Sequence, residues 1–207
     1  MLRNIIYIFW GILVFFIGML VYGMFLNLGE TSLYRAMEKK GIAKISDPRI
    51  VINTQDYSLE LFEKGILLKK YRAVFGTNHK TKDWLGRKNS TPLGEYFICR
   101  IDTNVKYHKE FTLNFPNNKD AAEALQNKII TREEYLEIIE YSKNHECSYG
   151  NTSLGAGISI HGIGKYNLIF KNLPFSFNWT NGSVALSNEA VDELYSIVKI
   201  GTRVTIK

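Results

Sequence analysis

The sequence predicts a mainly β domain with a few helices, preceded by one N-terminal transmembrane helix. Three observations carry that expectation. Ile5 to Leu28 holds no charged residue, and from Arg49 onward apolar and polar residues alternate at period two. The helical patterns are few and do not alternate regularly with strands, which argues against a parallel α/β sheet. With 207 residues, 45% hydrophobic and 22% charged, the chain matches one globular domain plus an appendage.

The appendage comes first. At about 1.5 Å per residue, `IIYIFWGILVFFIGMLVYGMFLNL` would form a helix of roughly 36 Å, enough to cross a hydrocarbon core of about 30 Å with tilt. Tyr7, Trp10 and Tyr22 lie towards its ends, as interfacial aromatics do. The run is longer than a signal-peptide core of about 7–15 residues, and no A-x-A-like site follows. Residues 1–28 therefore read as a retained signal anchor, with a cleaved peptide or a core helix as alternatives. Arg3 flanks one end, and Arg35, Lys39 and Lys40 the other among Glu30 and Glu38, so charge does not decide orientation. Residues 29–48 read as a polar linker with an amphipathic piece around Leu33, Met37 and Ile42, lifting the domain off the membrane.

The domain, residues 49–207, opens with three strands, `RIVINT`, `YSLELFE` and `ILLKKYRAVF`, the last two joined by a Lys64-Gly65 turn. After a loop from Gly76 to Leu93, `GEYFICRI` and `FTLNF` supply two more strands. `KDAAEALQNKI` and `TREEYLEIIEYSK` follow as helices, the second announced by a Thr131–Glu134 capping box. `GISIHG` reads as a short buried strand ending at His161. A loop from Gly162 to Asn178 leads into a polar turn, Thr180-Asn181-Gly182-Ser183, and a short apolar run. The next helix buries Val191, Leu194, Tyr195 and Val198, Gly201 ends it, and `TRVTIK` closes the chain as a strand.

A net charge of +6 favours acidic partners such as phospholipid head groups or anionic polymers. The basic residues are scattered, and no nucleic-acid-binding motif accompanies them, so nucleic acid is not an expected partner. Cys99 and Cys147 lack a local signature and read as unlinked thiols, although an extracytoplasmic domain could bridge them. His79, His108, His145 and His161 lack metal-ligand spacing, so no metal site is expected.

Three segments are candidates to meet in one site: `GRKNSTPLGEY`, `SIHG` and `WTNGSVAL`. Acyl transfer needs a nucleophile, a base to activate it and donors for the oxyanion. His161, at a strand end before Gly162, could project one imidazole nitrogen into a cleft while a backbone carbonyl holds the other. Ser183 follows Gly182 in a turn whose amides can converge on negative charge. On spacing alone the plainer reading, a structural histidine and a conformational turn serine, stays open.

From about Arg49 to Lys207 the chain resembles, in order, the L,D-transpeptidase catalytic domain of the YkuD type. `GRKNSTPLGEY` is similar to the family's G-x-x-x-T-P-x-G-x-Y element at Gly86, Thr91, Pro92, Gly94 and Tyr96, with one extra residue. `FPNNKDA` resembles its Y-P-N-x-x-D segment and `ISIHG` its I-x-I-H-G. `TNGSVALSNEAVDELY` and `GTRVTI` resemble the ending S/T-H-G-C-I, a helix, then G-T-x-V-x-I. The resemblance implies a YkuD-like β-sandwich acting on peptidoglycan stem peptides without a cofactor. It implies an envelope location: one pass through the inner (cytoplasmic) membrane, N-terminus inside, domain outside. His161 falls where the family has its base, and Gly162 where a carbonyl orients it. Thr180 and Gly182 match the nucleophile turn, and Trp179 and Asn181 flank them beside the substrate, Asn181 replacing the motif histidine as in some envelope members.

Ser183 stands where the family has its nucleophilic cysteine. A thiol with pKa about 8.5 can be held as thiolate by a nearby imidazolium, whereas a hydroxyl reacts only as its proton leaves to a base. Three readings follow: a serine nucleophile, a substitution that disables the enzyme, or a pseudoenzyme that binds its ligand. Cys147, whose loop leads to His161, is a weaker stand-in because it lies outside the turn that would supply oxyanion donors. The expected reaction releases the terminal D-alanine of a tetrapeptide stem and passes the acyl group to an amine or to water. A carboxypeptidase or amidase of the same fold would differ only in the acceptor.

Overall fold

The computed structural model describes residues 2–77, 89–143, 146–147 and 152–207. His79, Gly86, His145 and most of the loop expected from Gly76 to Leu93 lie outside these. Helix α1 (Leu2–Asn27) is long and apolar enough to cross a membrane, and nearly all its side chains are exposed. Helix α2 (Leu33–Lys39) starts at Ser32, whose hydroxyl accepts from the Arg35 amide. The strands are β1 (Pro48–Asn53), β2 (Ser58–Glu63), β3 (Ile66–Arg72), β4 (Gly94–Val105), β5 (His108–Leu113), β6 (Ser159–Gly162), β7 (Val184–Leu186) and β8 (Arg203–Ile206). Between β5 and β6 lie α3 (Asn118–Gln126) and α4 (Arg132–Lys143); α5 (Asn167–Phe170) precedes β7, and α6 (Asn188–Tyr195) precedes β8.

The strands form one mixed sheet in the order β3-β2-β1-β8-β4-β5-β6-β7. Its pairs are antiparallel except β1 with β8 and β6 with β7. Bridges from Val74 to Ala185 and from Gly76 to Thr180 tie the chain beyond β3 to the β7 edge, so the sheet folds back on itself. Period two explains the core: Ile50, Ile52, Leu59 and Leu61 point inward and are fully buried, each contributing about 1.5–3 kcal/mol. Val191 and Leu194 of α6, with Val198 just beyond it, cover this core. Tyr195, expected on the same face, is instead 44% exposed, its ring lying under the Lys109 ammonium. Successive residues turn by about 100° along a helix, so Tyr195 rotates off the stripe that Leu194 occupies.

Two further expectations change. The residue 29–48 segment is not a free spacer: Leu33 joins the core, with Met37 and Ile42 packed against it. Glu193 fixes it there, accepting from the Leu33 amide at 2.9 Å, the Lys69 ammonium at 2.6 Å and the Tyr71 hydroxyl at 3.0 Å. Cys99 and Cys147 are bridged, with Cα atoms 5.4 Å apart across a separation of 48 residues. Spacing in sequence carries no information about such a long-range pair. The bridge staples the chain after α4 to β4 and leaves Cys147 without a thiol, which removes it as a stand-in nucleophile.

The helix caps follow from local chemistry. Thr131 and Glu134 form the expected box, each side chain accepting from the other's amide. Asn117 and Asp120 form a second box at α3. The Tyr96 hydroxyl reaches the Asp120 carboxylate at 3.3 Å, so the motif residues Tyr96 and Asp120 meet as a buried structural pair.

Candidate active site

β6 is paired on both edges, to β5 and to β7, so all four residues of `SIHG` are buried. His161 sits at 4% exposure, and its Nδ1 lies 2.7 Å from the Gly162 carbonyl oxygen. A carbonyl can only accept, so Nδ1 carries the proton and Nε2 keeps a free lone pair. Burial pushes the imidazole below the usual histidine value, opposed by the Gly162 carbonyl and by the charge of Glu110. Burial therefore favours the neutral ring. Gly162 has no room for a side chain: a Cβ there would lie 2.7 Å from the Tyr107 carbonyl oxygen.

The serine turn is fixed from behind. Thr180 donates its amide to the Phe75 carbonyl at 3.3 Å and its hydroxyl to the Ser183 carbonyl at 2.5 Å. Gly182 has φ +113°, a conformation side chains rarely adopt, and a Cβ there would meet the Ser90 carbonyl oxygen at 2.6 Å. Buried Thr91 accepts from the Gly76 amide at 3.0 Å, which holds the chain of the T-P motif against this turn. Asn181 is exposed at the tip of the turn.

The parallel register Ile160 with Val184 sets Ser183 beside Ser159. The Ser183 hydroxyl oxygen accepts from the Ser159 amide at 3.1 Å and lies 3.4 Å from the Ser159 hydroxyl. His161 is two residues further along the same face of β6, about 6.6 Å of strand. Among the described residues, His161 and Ser183 share no hydrogen bond; Ser183 is held by Ser159.

Aromatic rings cover the histidine. Tyr107, in the β4–β5 turn, stacks at 4.7 Å between centroids and a 30° tilt, while Trp179 meets the imidazole edge-on at 5.8 Å. Phe170 extends the cluster, 6.2 Å from Trp179. An apolar cavity of about 160 Å³ lies against Phe170, Phe177 and Trp179, but neither His161 nor Ser183 lines it. Of the sequence candidates, the structure gathers His161, Gly162, Trp179, Thr180, Gly182 and Ser183, with Asn181 on the rim. Ser159 and Tyr107 escaped sequence reasoning. Period two from His161 points to Ser159; no local signal points to Tyr107.

The fold is of a kind with known proteins. The sequence model of the L,D-transpeptidase (YkuD) catalytic domain matches residues 47–206, and the chain belongs to that family. Bdellovibrio bacteriovorus Bd1075 has a similar fold, with 20% identity and TM-score 0.50 over 79% of this chain and 48% of that one. An L,D-transpeptidase from Xylanimonas cellulosilytica is matched at 15% identity and TM-score 0.46, over 84% and 68% of the two chains. The helical cell shape determining protein Pgp2 of Campylobacter jejuni is matched at 16% identity and TM-score 0.46, over 85% and 55%. The chain thus spans about half the length of the Bdellovibrio structure. No curated protein is significantly similar in sequence.

Proposed function

We propose that the chain is a membrane-anchored peptidoglycan acyltransferase acting on tetrapeptide stems, with Ser183 as acyl carrier and His161 as its base. The observation that carries this reading is His161 itself: buried, neutral, with Nδ1 tied to the Gly162 carbonyl and Nε2 left free. A thiolate–imidazolium pair needs the protonated ring, whereas a hydroxyl nucleophile needs a neutral one. The Ser183 oxygen attacks the carbonyl of the third stem residue as its proton passes to His161 Nε2. The amides around Gly182 and Ser183 hold the oxyanion. Collapse breaks the peptide bond, His161 returns the proton to the departing D-alanine amine, and a Ser183 ester remains. An acceptor amine, or water, then attacks the ester as His161 takes its proton; the ester bond breaks and His161 returns that proton to the Ser183 oxygen. The Cys99–Cys147 bridge supports an extracytoplasmic site, since such bonds persist in oxidising compartments. The uncharged run from Ile5 to Leu28 supports a single-pass anchor, and an extracytoplasmic site would put the N-terminus inside.

One observation favours a second reading, a stem-binding pseudoenzyme: the Ser183 hydroxyl is engaged by Ser159 rather than by His161. Incubating the purified chain with tetrapeptide stems separates the two. Loss of D-alanine by mass spectrometry, with an ester trapped on Ser183, supports the enzyme. Binding without any product, and turnover only in Ser183→Cys, supports the pseudoenzyme.

A further inference from the structure

The segment from Tyr166 to Phe177 carries an unusual load of exposed apolar side chains. Tyr166, Leu168, Ile169, Phe175 and Phe177 are between 47% and 61% exposed. An apolar cluster of this kind on a water-facing surface marks an interaction site. Its place in the molecule indicates with what. Gly23 of α1 packs directly on this segment, where a Cβ would lie only 1.7 Å from the Asn172 carbonyl oxygen. Four residues on, the Asn27 amide bonds the Lys171 carbonyl at 3.1 Å and the Asn172 side chain at 2.8 Å. Arg72 straps the far end, donating to the Leu173 carbonyl at 2.6 Å and to the Phe175 carbonyl.

Depth along α1 then fixes the level of the segment. From Ile5, where the uncharged run begins, to Gly23 the helix rises about 27 Å, close to the roughly 30 Å of a hydrocarbon core. Asn172 thus meets α1 where the helix leaves the hydrocarbon. We propose that the 166–177 segment is a membrane-docking surface: Leu168, Ile169, Phe175 and Phe177 enter the headgroup boundary of the bilayer that α1 spans. The inference rests on the anchor reading of α1. Exposed Lys165, next to the segment in sequence, and exposed Arg35, shortly after α1, match anionic phospholipid head groups. The same segment contributes Phe170, which touches Trp179, which touches His161, so the site opens one ring away from the membrane surface.

The test uses the full chain reconstituted in vesicles of phosphatidylglycerol and phosphatidylethanolamine. Both native cysteines are bridged, so a single introduced cysteine accepts a polarity-sensitive bimane probe. Three positions suffice: Phe177→Cys, Phe15→Cys within α1, and Leu136→Cys on α4, which is as exposed as Phe177 at 56%. Phe177 should lose fluorescence to lipids brominated near the headgroup end of the acyl chain, Phe15 to lipids brominated deep in it, and Leu136 to neither. Replacing phosphatidylglycerol with phosphatidylcholine should weaken the loss at Phe177 and leave Phe15 unchanged. Quenching at Phe15 without quenching at Phe177 overturns the docking surface and spares the anchor. No quenching at Phe15 overturns the anchor and the docking surface together. A blue-shifted Phe177 probe that lipid bromine cannot reach overturns the proposal by assigning the face to a protein partner.

Discussion

The two ends of the sheet are built on different principles. At one end, β3, β2, β1 and β8 are regular strands, with alternating burial and a Lys64-Gly65 turn, and they form the core on which α2 and α6 pack. At the other, β6 and β7 have only four and three residues, every one buried, and their job is to hold His161 and the serine turn. The first end is stable through its own side chains. The second is short and rigid because neighbours fix it: Ser159 on Ser183, Phe75 and Thr91 behind the turn, and Tyr107 and Trp179 over the ring. A chain can thus separate the residues that fold it from those that do chemistry, and substitutions at the two ends should fail differently.

The largest effect is expected at the base. His161→Ala should slow ester formation by about 10²–10⁴-fold, the usual span for general base catalysis. In the native chain the rate should climb with pH through a value below that of free histidine, because burial favours the neutral ring and the base is lost only as pH falls through that depressed value. A pH-rate profile of single-turnover acylation checks both. Ser183→Cys comes next. A neutral His161 suits a hydroxyl rather than a thiolate, and a misplacement of about 1 Å costs on the order of 10²-fold, so the longer thiol should lower turnover by up to about that factor.

Stability should respond instead to changes away from the histidine and the serine turn. Removing the bridge with Cys99→Ser and Cys147→Ser should cost about 2–4 kcal/mol in urea unfolding, the range for closing a loop of this size. The smallest effect concerns Asp120. Burial lifts its carboxyl to about 6, against hydrogen bonds from Asn117 and Tyr96 that pull it down. A folded value above the unfolded one means its contribution is full below the unfolded 3.8 and is lost as pH rises through about 6. The native-minus-Asp120→Asn difference in melting temperature should therefore fall as pH rises between those limits.

Legibility followed the same division. Period two, turn residues and the Thr131–Glu134 box made the regular strands and α4 readable, because those signals are local. The disulfide and the docking of Leu33 were not readable, since each joins residues far apart in sequence. The loop from Gly162 to Asn178 hid a single 3-10 turn at Gly164–Tyr166 and the four-residue α5, too short for a periodic pattern. In the site, His161 and Ser183 stood out through motif order. Ser159 and Tyr107 act through packing and register, which only the fold brings to them.

The central claim is that a neutral, carbonyl-oriented His161 activates the Ser183 hydroxyl. Intact-mass spectrometry of the full chain after mixing with a tetrapeptide stem tests it most directly. The account predicts an ester on Ser183, one stem minus D-alanine, that disappears in Ser183→Ala and in His161→Ala. An unmodified native chain beside an acylated Ser183→Cys variant would contradict it and leave a site that binds stems without cutting them.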